Sequence, residues 1–459
     1  MRPRNQVARN QLANVLARRA AVSASDLADQ IGVSIATLHR LLQEIDGRVI
    51  VTGKARRTRY ALRRDLRGDM ADLPLYEIDK AGRAELVTDL ALVHPQGICM
   101  SLADTGWPVP DESRDGWWEG LPYPLYDMRP QGFMGRQFAR AECRQLAVST
   151  NPEDWSDDDV LYVLSRSGSD VSGNLILGNP AYETWLNSKA APPEPLKPRA
   201  LARAYVRLAE RAIAAGVAGS SAAGEFPKFP ALRELAGSAT PHVLVKFSGA
   251  DRSPAVRRWA DLLVCEHLAS ECVATLSGVE SARSRIVTND GRTFLEVERF
   301  DRHGLFGRSR LISLGILDAA LFGDGSTDWI RLAGRFAAAG LLAPDDAERI
   351  AHIWWFGRLI ANADMHTGNL SFRPHDTLAL APAYDMLPMH YAPLAGGEVP
   401  RRSFEPPLPL PPQRTIWTAA CVAAVSFWNR ASKDARISED FRRMGASNAK
   451  YLQQMADRV

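Results

Sequence analysis

The feature that most constrains the fold is the order of a few polar residues in the second half of the chain. Lys246 ends an apolar run, His242-Val-Leu-Val-Lys246-Phe247, that is typical of a buried strand. Asp364 follows 118 positions later, Asn369 lies five residues beyond it, and Asp385 comes sixteen residues after Asn369. A fold that uses these residues together must bring a strand, a loop and a hairpin from distant parts of the chain to one place.

The segment around Asn369 and Asp385 predicts a site for a divalent cation. The runs at 370–372 and 378–381 can pair as a hairpin, which would place Asn369 beside Asp385. Amide and carboxylate oxygens are the ligands that Mg²⁺ prefers. Asp364, at the D-x-x-x-x-N spacing of a kinase catalytic loop, would orient an attacking hydroxyl and accept its proton. His366 lies inside the same loop and is a further candidate catalytic residue.

Lys246 is the candidate group for the phosphates of ATP. A predicted helix over Ser253 to Val273 carries Glu266, twenty residues after Lys246, and a Lys–Glu pair of this kind holds the phosphate-binding Lys in kinases. Asp261 and Glu271 lie on the same helix, so the choice of Glu266 stays open. The sequence therefore predicts a phosphotransfer site that uses ATP and Mg²⁺.

Two further segments fit a nucleotide site. Asn289-Asp-Gly291 between two β-rich runs predicts a hairpin. Its second strand leaves through Glu298, Arg299 and Phe300, where a kinase places adenine against the backbone. A loop of small residues at 216–225, which includes Gly224, would let backbone N–H groups approach a phosphate, although a plain flexible loop would look alike.

The first 67 residues form a basic module. They hold fourteen Arg and Lys but five Asp and Glu, so this segment carries +9 while the whole chain carries +3. Such a local excess is typical of phosphate binding. Ser23 and Ser34 are candidate N-caps for two short helices, at 26–31 and 35–45, and two β-rich runs follow around a basic turn. Val7 in a preceding helix and Ile35 in the helix at 35–45 are expected on apolar faces that point inward.

This order resembles a winged helix-turn-helix and implies DNA binding. The second helix of such a module enters the major groove, and the basic turn contacts phosphates. The alternative is that the Arg residues confer solubility or dock the module on the rest of the chain. Candidate base contacts are Ser34, Thr37, His39 and Arg40, and candidate phosphate contacts are Lys54, Arg56, Arg57 and Arg59.

Composition excludes several other classes of protein. With 46% hydrophobic and 24% charged residues, the chain is expected to fold with sizeable cores. The longest apolar run, from Ile416 to Trp428, has 13 residues and is shorter than the roughly 18 that a spanning helix needs. Five cysteines without a CxxC pair, and no visible secretory signal, favour a reducing cytoplasm. The acidic run at 154–159 is interpreted as a helix cap rather than a metal site.

Taken with their neighbours, these motifs resemble the HipA family of bacterial toxin kinases, most closely its YjjJ-type members with a fused N-terminal DNA-binding domain. The resemblance covers residues 70 to 459 and is carried by five segments: 221–229, 245–247, 297–302, 362–369 and 382–385. It implies an α+β, two-lobed, protein-kinase-like (HipA-like) fold. It also implies an enzyme that phosphorylates Ser or Thr of a protein and autophosphorylates a serine in its own loop. That serine aligns with Ser221, with Ser220 as its neighbour.

The same resemblance implies roles for the site residues. Lys246 would contact the ATP phosphates, the Glu298–Phe300 backbone would contact adenine, Asp364 would be the base, and Asn369 and Asp385 would hold Mg²⁺. Phe226 stands where the family loop commonly has Gln, which leaves the loop contacts to ATP open. The family's DNA-binding antitoxin is usually a separate protein, whereas in this chain a basic module precedes the kinase part. A separate antitoxin is therefore one candidate partner, and repression of its own promoter by this chain is a further hypothesis.

The predicted division of the chain has three parts. Residues 1–67 form the winged helix-turn-helix, 68–300 the N-terminal kinase part with the Gly-rich loop and Lys246, and 301–459 a mostly helical lobe with the catalytic loop. Two other functions stay open. One is a small-molecule phosphotransferase, because Asp364-Met-His366-Thr-Gly-Asn369 also matches the loop of aminoglycoside and choline kinases. The other is a nucleotide-sensing transcription regulator without catalysis.

Overall fold

The protein contains both α-helices and β-sheets. A computed structural model describes residues 3–45, 47–214, 226–234 and 237–459. The helices are α1 (Pro3–Leu16), α2 (Ala24–Ile31), α3 (Ile35–Glu44), α4 (Gly132–Leu146), α5 (Asp157–Ser167), α6 (Asn179–Ala190), α7 (Pro198–Ala214), α8 (Pro254–Val273), α9 (Leu314–Leu321), α10 (Trp329–Ala338), α11 (Pro344–Leu359), α12 (Arg414–Lys433) and α13 (Glu439–Ala456).

The described residues also form five small β-sheets. The strands are β1 (Val22–Ser23), β2 (Val49–Thr52), β3 (Arg59–Leu62), β4 (Leu73–Ile78), β5 (Ala84–Leu92), β6 (Ile98–Cys99), β7 (Trp117–Trp118), β8 (Leu175–Leu177), β9 (Lys228–Leu232), β10 (His242–Phe247), β11 (Ser284–Asn289), β12 (Arg292–Glu298), β13 (Arg302–His303), β14 (Gly307–Arg308), β15 (Ile312–Ser313), β16 (Ser371–Pro374) and β17 (Leu378–Leu380). All strand pairs within these sheets are antiparallel.

The basic module consists of α1, α2 and α3 with a sheet of order β1-β3-β2. Ser23 caps α2 and Ser34 caps α3 through bonds to backbone N–H groups, as the sequence predicts. Gly32 makes the turn between the helices with φ of 66°. Two apolar residues expected inside are exposed instead: Val7 on α1 and Ile35 at the start of α3. At 100° per residue, Val7 lies on a different side of α1 from buried Leu12 and Leu16, and Ile35 lies at the edge of the apolar face of α3.

The middle of the chain forms a five-stranded sheet of order β7-β6-β5-β4-β8. Ser156 caps α5 in a capping box with Asp159, which explains the acidic run at 154–159 as a helix start. Buried Leu75, Leu90 and Leu177 on the sheet join Val160 and Leu164 of α5 in the main core of the protein.

The basic module is docked on this middle sheet by backbone and side-chain contacts. Arg63 bridges Val93, and the N–H of Arg64 donates to Leu92 O at 2.9 Å. Arg64 donates both guanidinium ends to Asp158, and Arg67 donates to Asp159 at 2.5 Å. Part of the basic excess therefore attaches the module to the body, as the alternative interpretation allowed.

The four-stranded sheet of order β11-β12-β10-β9 carries Lys246. The hairpin between β11 and β12 turns at Asp290 and Gly291, as predicted. One face packs on α7 through Tyr205, Phe247 and Phe294, and α8 lies against the other face. Because side chains alternate along a strand, Val245 and Phe247 point to α7 while Lys246 points to α8.

The rest of the chain is mostly helical. Helices α11 and α12 contribute Phe356, Phe427 and Trp428 to the main core, and α13 packs along α12. The Pro-rich segment at 399–412 crosses the surface beside the catalytic loop, where His390 Nε2 lies 2.9 Å from Ser403 O and Trp417 Nε1 donates to Pro407 O. No helix in the described ranges is long and apolar enough to cross a membrane.

The docking contacts predict that Arg64→Ala/Arg67→Ala loosens the basic module. Half-exposed ion pairs contribute at most about 1 kcal/mol each, so amide hydrogen exchange in β3 is expected to rise by roughly tenfold. The matched control is Arg56→Ala/Arg57→Ala, two exposed Arg residues without an ion pair to a described residue. Equal exchange in both double variants would contradict the docking role.

Candidate functional site

Lys246 is a buried amine that joins three elements. Its ammonium donates to both carboxylate oxygens of Glu266 on α8, at 2.6 and 2.9 Å, and to Asp385 in the segment after β17. Lys246 and Glu266 are almost fully buried, whereas Asp385 is about one-third exposed. The structure thus pairs Glu266, rather than Asp261 or Glu271, with Lys246.

The other two acids of α8 have different partners. Asp261 accepts from the backbone N–H and the hydroxyl of Ser438, at 2.7 and 2.5 Å. Glu271 pairs with Arg430. Each acid therefore faces a different neighbour, which the helical period alone could not assign.

Glu266 and Asp385 share the single positive charge of Lys246, and this sharing together with burial shifts the pKa values of all three groups. Burial acts to lower the pKa of Lys246, but Asp385 and Glu266 outweigh burial and hold it above its usual range. Burial acts to raise the pKa of Asp385, but Lys246 lowers it to about 2. Burial raises the pKa of Glu266 to about 7, with Asp385 as a further cause. Asp385 consequently keeps its negative charge at neutral pH.

The catalytic loop is tied to Asp385 through Asn362. The Asn362 amide donates to Asp385 O at 3.3 Å and its oxygen accepts from the Asp364 N–H at 3.0 Å. Tyr384, next to Asp385, donates its hydroxyl to Gly368 O at 2.7 Å. Asp364 and Asp385 therefore belong to one connected site, with the Asp364 side chain exposed.

Asn369 and His366 both bond within this loop. Asn369 donates its amide nitrogen to Asp364 O at 2.8 Å, which leaves its amide oxygen without a hydrogen bond to a described residue. His366 Nδ1 accepts from the Gly368 N–H at 3.1 Å and caps the short 3₁₀ turn Thr367–Asn369. The histidine thus shapes the loop that carries Asp364 and Asn369.

The donor set suits Mg²⁺ shared with phosphates. In the described ranges no group of three His, Cys, Asp or Glu side chains could hold a metal ion. Asp385 and Asn369 offer one carboxylate and one amide oxygen, and Mg²⁺ is commonly bound by one or two protein oxygens together with phosphate oxygens and water. The residues present fit a metal that arrives with a nucleotide.

In the segment Glu298–Phe300, two backbone N–H groups that could have contacted a nucleobase are already bonded within the protein. The N–H of Glu298 donates to Arg283 O at 2.8 Å, and the N–H of Arg299 donates to His242 O at 3.1 Å. The Glu298 carboxylate is held by Arg233 and Ser238. Phe300 lies against Tyr384, with ring centroids 5.6 Å apart. Phe300 is therefore the member of this segment that lies beside Tyr384, the neighbour of Asp385.

A buried ionic network fixes the same segment from behind. Asp301 accepts from Arg299 and Arg302 at 2.7 to 3.1 Å, and Asp170 of the middle part pairs with both Arg residues. Burial acts to raise the pKa of Asp301, but the two Arg residues outweigh it and hold that pKa far below its usual range. Sequence reasoning missed this network, although the repeated Arg and Asp at 299–302 is the signal that could have indicated it.

A cavity of about 390 Å³ opens next to this segment. Pro230 of β9, Leu244 of β10 and Arg299 line one side, and residues of the middle part, among them Met134 and Val171, line the other. Leu244 lies two residues before Lys246 and so shares its face of β10. This cavity is large enough for a nucleobase.

The predicted loop residues Ser220, Ser221 and Gly224 lie outside the described residues. The first described residue after them, Phe226, is buried with its ring edge-to-face on Trp259, centroids 4.7 Å apart. Its ring centroid is 5.9 Å from Lys246 Nζ. Phe226 thus covers the lysine at the place where the family commonly has Gln.

The candidate DNA contacts lie on two surfaces of the basic module. Ser34, Thr37, His39 and Arg40 are on α3, where Ser34 Oγ accepts from the Thr37 N–H and Arg40 donates to Thr37 Oγ1 at 3.3 Å. Lys54, Arg56 and Arg57 are exposed in the turn between β2 and β3, and Arg59 begins β3. The structure separates these side chains from the docking residues Arg64 and Arg67.

Comparison with known proteins gives the family. Residues 69–186 match the family model of the YjjJ-like toxin middle domain, and residues 220–453 match that of the HipA-like C-terminal domain. The chain is 36% identical to Toxin YjjJ of Escherichia coli (strain K12) over 439 residues, which covers 95% of this chain and 96% of that protein. This chain belongs to the HipA-like family, among the YjjJ-like toxins.

The fold comparison agrees with this family. A solved HipA from Shewanella oneidensis MR-1, in complex with HipB and its operator DNA, matches with a TM-score of 0.50 at 15% identity, over 84% of this chain and 97% of that chain. The predicted α+β, HipA-like fold is thereby confirmed. The three-part division at residues 67 and 300 and the roles of the individual site residues stay predictions.

The ionic network behind Phe300 predicts a large effect of Asp301→Asn in this HipA-like chain. Removing one partner leaves buried Arg charge uncompensated, which is expected to lower the free energy of unfolding by about 3–5 kcal/mol. Denaturant unfolding at neutral pH measures it. The pKa of Asp301 is lower in the folded than in the unfolded protein. The difference in free energy of unfolding between wild type and the variant is therefore fully present at pH above ~4, and it is lost as the pH falls through the folded pKa.

The control for this variant is Asp290→Asn. Asp290 is exposed in the β11–β12 turn with φ of 48°, a conformation that Asn also adopts. Its free energy of unfolding is expected to stay within about 0.5 kcal/mol of wild type. An equally small effect of Asp301→Asn would show that the network adds nothing to stability.

Proposed function

We propose that this protein is an ATP-dependent serine/threonine protein kinase of the HipA toxin type that also binds DNA through its basic module. The observation that carries the kinase proposal is the connection of Lys246, Glu266 and Asp385 with the loop of Asp364 and Asn369. These are the residue types that phosphoryl transfer needs, in the order that kinases use. Membership of the HipA-like family supports the same function.

Each residue has a role that follows from its surroundings. Lys246, held by Glu266, would contact phosphate oxygens of ATP with its fixed positive charge. The Asp364 side chain is exposed. It would orient an acceptor hydroxyl and take its proton. Asn369 and Asp385 would hold Mg²⁺, which when bound neutralises charge on the β- and γ-phosphates. Phe300 and the cavity beside Leu244 would receive the adenine.

The acceptor in this proposal is a protein serine or threonine. Family resemblance adds autophosphorylation of the chain's own loop, with Ser221 or its neighbour Ser220 as acceptor. Ser221 lies only five residues before Phe226 in the sequence, and Phe226 packs on Trp259 with its ring 5.9 Å from Lys246 Nζ. This short connection supports transfer to a loop serine of the same chain.

DNA binding is supported by the division of the basic residues. Arg64 and Arg67 are used for docking, whereas Lys54, Arg56 and Arg57 remain exposed in the turn between β2 and β3. Ile35, exposed at the start of α3, is a suitable apolar contact for a thymine methyl group. The Shewanella HipA was solved with HipB and operator DNA, which supports DNA and an antitoxin as partners here.

The kinase proposal is tested with Asp364→Asn and radiolabelled ATP. Loss of the base with little change in shape is expected to slow label transfer to protein by about 10²- to 10⁴-fold. The matched control is Asp376→Asn, an exposed carboxylate in the turn between β16 and β17, which is expected to transfer at the wild-type rate. Unchanged transfer in Asp364→Asn would assign the base to another residue.

The destination of the label separates the alternatives. Label on the chain itself that disappears in Ser220→Ala/Ser221→Ala supports the toxin-like kinase. Label only on a soluble acceptor supports a small-molecule phosphotransferase, which the shared D-x-H-x-x-N loop also allows. Nucleotide binding without any transfer would support a regulator that only senses nucleotide.

DNA binding is tested on the full chain with its own promoter DNA by fluorescence anisotropy over a range of salt concentrations. Arg56→Ala/Arg57→Ala is expected to weaken binding and to reduce the salt dependence by about one to two released counterions. Arg207→Ala/Arg211→Ala, which removes two exposed Arg residues of α7, is the control and is expected to bind as wild type. Equal binding by all three proteins would remove the wing from the interface.

A further inference from the structure

A cavity of about 510 Å³ lies where three parts of the chain meet, and none of the proposed site residues lines it. The loop between α1 and β1 contributes Ala20 and Ala21. The middle part contributes the segment from Pro110 to Tyr126, and α9 contributes Ile316, Ala319 and Ala320. Its volume is that of a small-molecule site, for which about 300–1,000 Å³ is typical.

Aromatic rings form the middle wall of this cavity: Trp117, Trp118, Tyr123 and Tyr126. Trp118 Nε1 donates to Met100 O at 2.8 Å, and the Tyr123 hydroxyl donates to Pro108 O at 2.7 Å. These bonds occupy the polar ends of both side chains and fix their rings. The faces of these rings offer a ligand apolar and π surface, which attracts organic cations, and Trp117 Nε1 has no hydrogen-bond partner among the described residues.

The charged residues of the lining are all acidic. Glu112 and Glu119 line the cavity, and no Lys, Arg or His is among its lining residues. Both carboxylates are exposed, and neither has a hydrogen bond or an ion pair to any residue that the structure describes. Their negative charge is therefore not neutralised by the protein at this place.

We propose that this junction cavity binds a small organic cation with an aromatic or otherwise apolar body. The body lies between the aromatic rings and Ala319 of α9, and the ammonium or guanidinium group lies beside Glu112 and Glu119. The ligand class follows from combining π walls with unpaired carboxylates. Either feature alone would leave the class undefined.

The position of the cavity makes its ligand an effector of both proposed functions. The N–H of Ser313, just before α9, donates to Asp127 at 2.6 Å, and the N–H of Leu314 donates to Leu370 O at 2.8 Å. Gly315 of α9 packs directly against Thr367 of the catalytic loop. A ligand that holds α9 against the aromatic wall and the loop at Ala21 is thereby coupled to catalysis and to the DNA module.

The experiment is calorimetric titration of the full chain with three probes of related shape: tryptamine, indole and indole-3-acetate. Tryptamine is expected to bind with one site per chain and at least about tenfold tighter than indole-3-acetate, since only the cation complements the two carboxylates. Glu112→Gln/Glu119→Gln is expected to weaken tryptamine by about tenfold and to leave indole unchanged. Ala319→Trp, a change at an exposed position of the wall, is expected to abolish binding of both.

The matched control is Asp111→Asn/Asp115→Asn, which removes two acids of the same segment that do not line the cavity. It is expected to bind tryptamine as wild type does. The proposal is overturned if tryptamine shows no saturable binding, if indole-3-acetate binds equally well, or if the Glu double variant binds tryptamine unchanged. Should Ala319→Trp fail to fold, the Glu double variant decides, because both of its changes are at exposed side chains.

Discussion

The rest of the site depends on one interaction, the pairing of the buried Lys246 ammonium with Glu266 and Asp385. Lys246 is only 4% exposed and lies on a strand whose other face is covered by aromatic side chains. A buried charge is tolerated only when it is paired, and removing one partner is far more costly than an exposed pair would suggest. Glu266 and Asp385 supply that pairing from α8 and from the segment after β17.

This pairing has a structural consequence beyond its own charge. The amine brings together a sheet, a helix and the segment after a hairpin that are far apart in the sequence. Asn362 then connects Asp385 to the loop of Asp364, and Tyr384 connects it to Gly368. The residues proposed for phosphoryl transfer are thus brought together by the same bonds that compensate a buried charge.

Arginine has two different uses in this protein, and burial separates them. Arg64, Arg67, Arg299 and Arg302 are paired with carboxylates and join parts of the chain. Arg56 and Arg57 project from a turn and form no such pair with any residue that the structure describes. Net charge in the first 67 residues indicated a phosphate-binding surface, but it could not show that some of its members are used internally.

Local rules decided much of the fold in advance. Ser23, Ser34 and Ser156 cap the helices that they were predicted to cap, and the hairpin turns at Asp290–Gly291, because capping and turn formation involve only residues a few positions apart. The same rules were wrong for Val7 and Ile35, whose burial depends on what the rest of the module can cover.

What the sequence by itself determined is the set of chemical groups and their order, together with the local elements that carry them. What only the tertiary structure decided is which groups meet. Asp261, Glu266 and Glu271 share one helix, and only the packing of α8 against β10 selects Glu266 for Lys246. The docking of the basic module and the cavity at its junction with α9 are also products of packing, because they form between residues that no local rule relates.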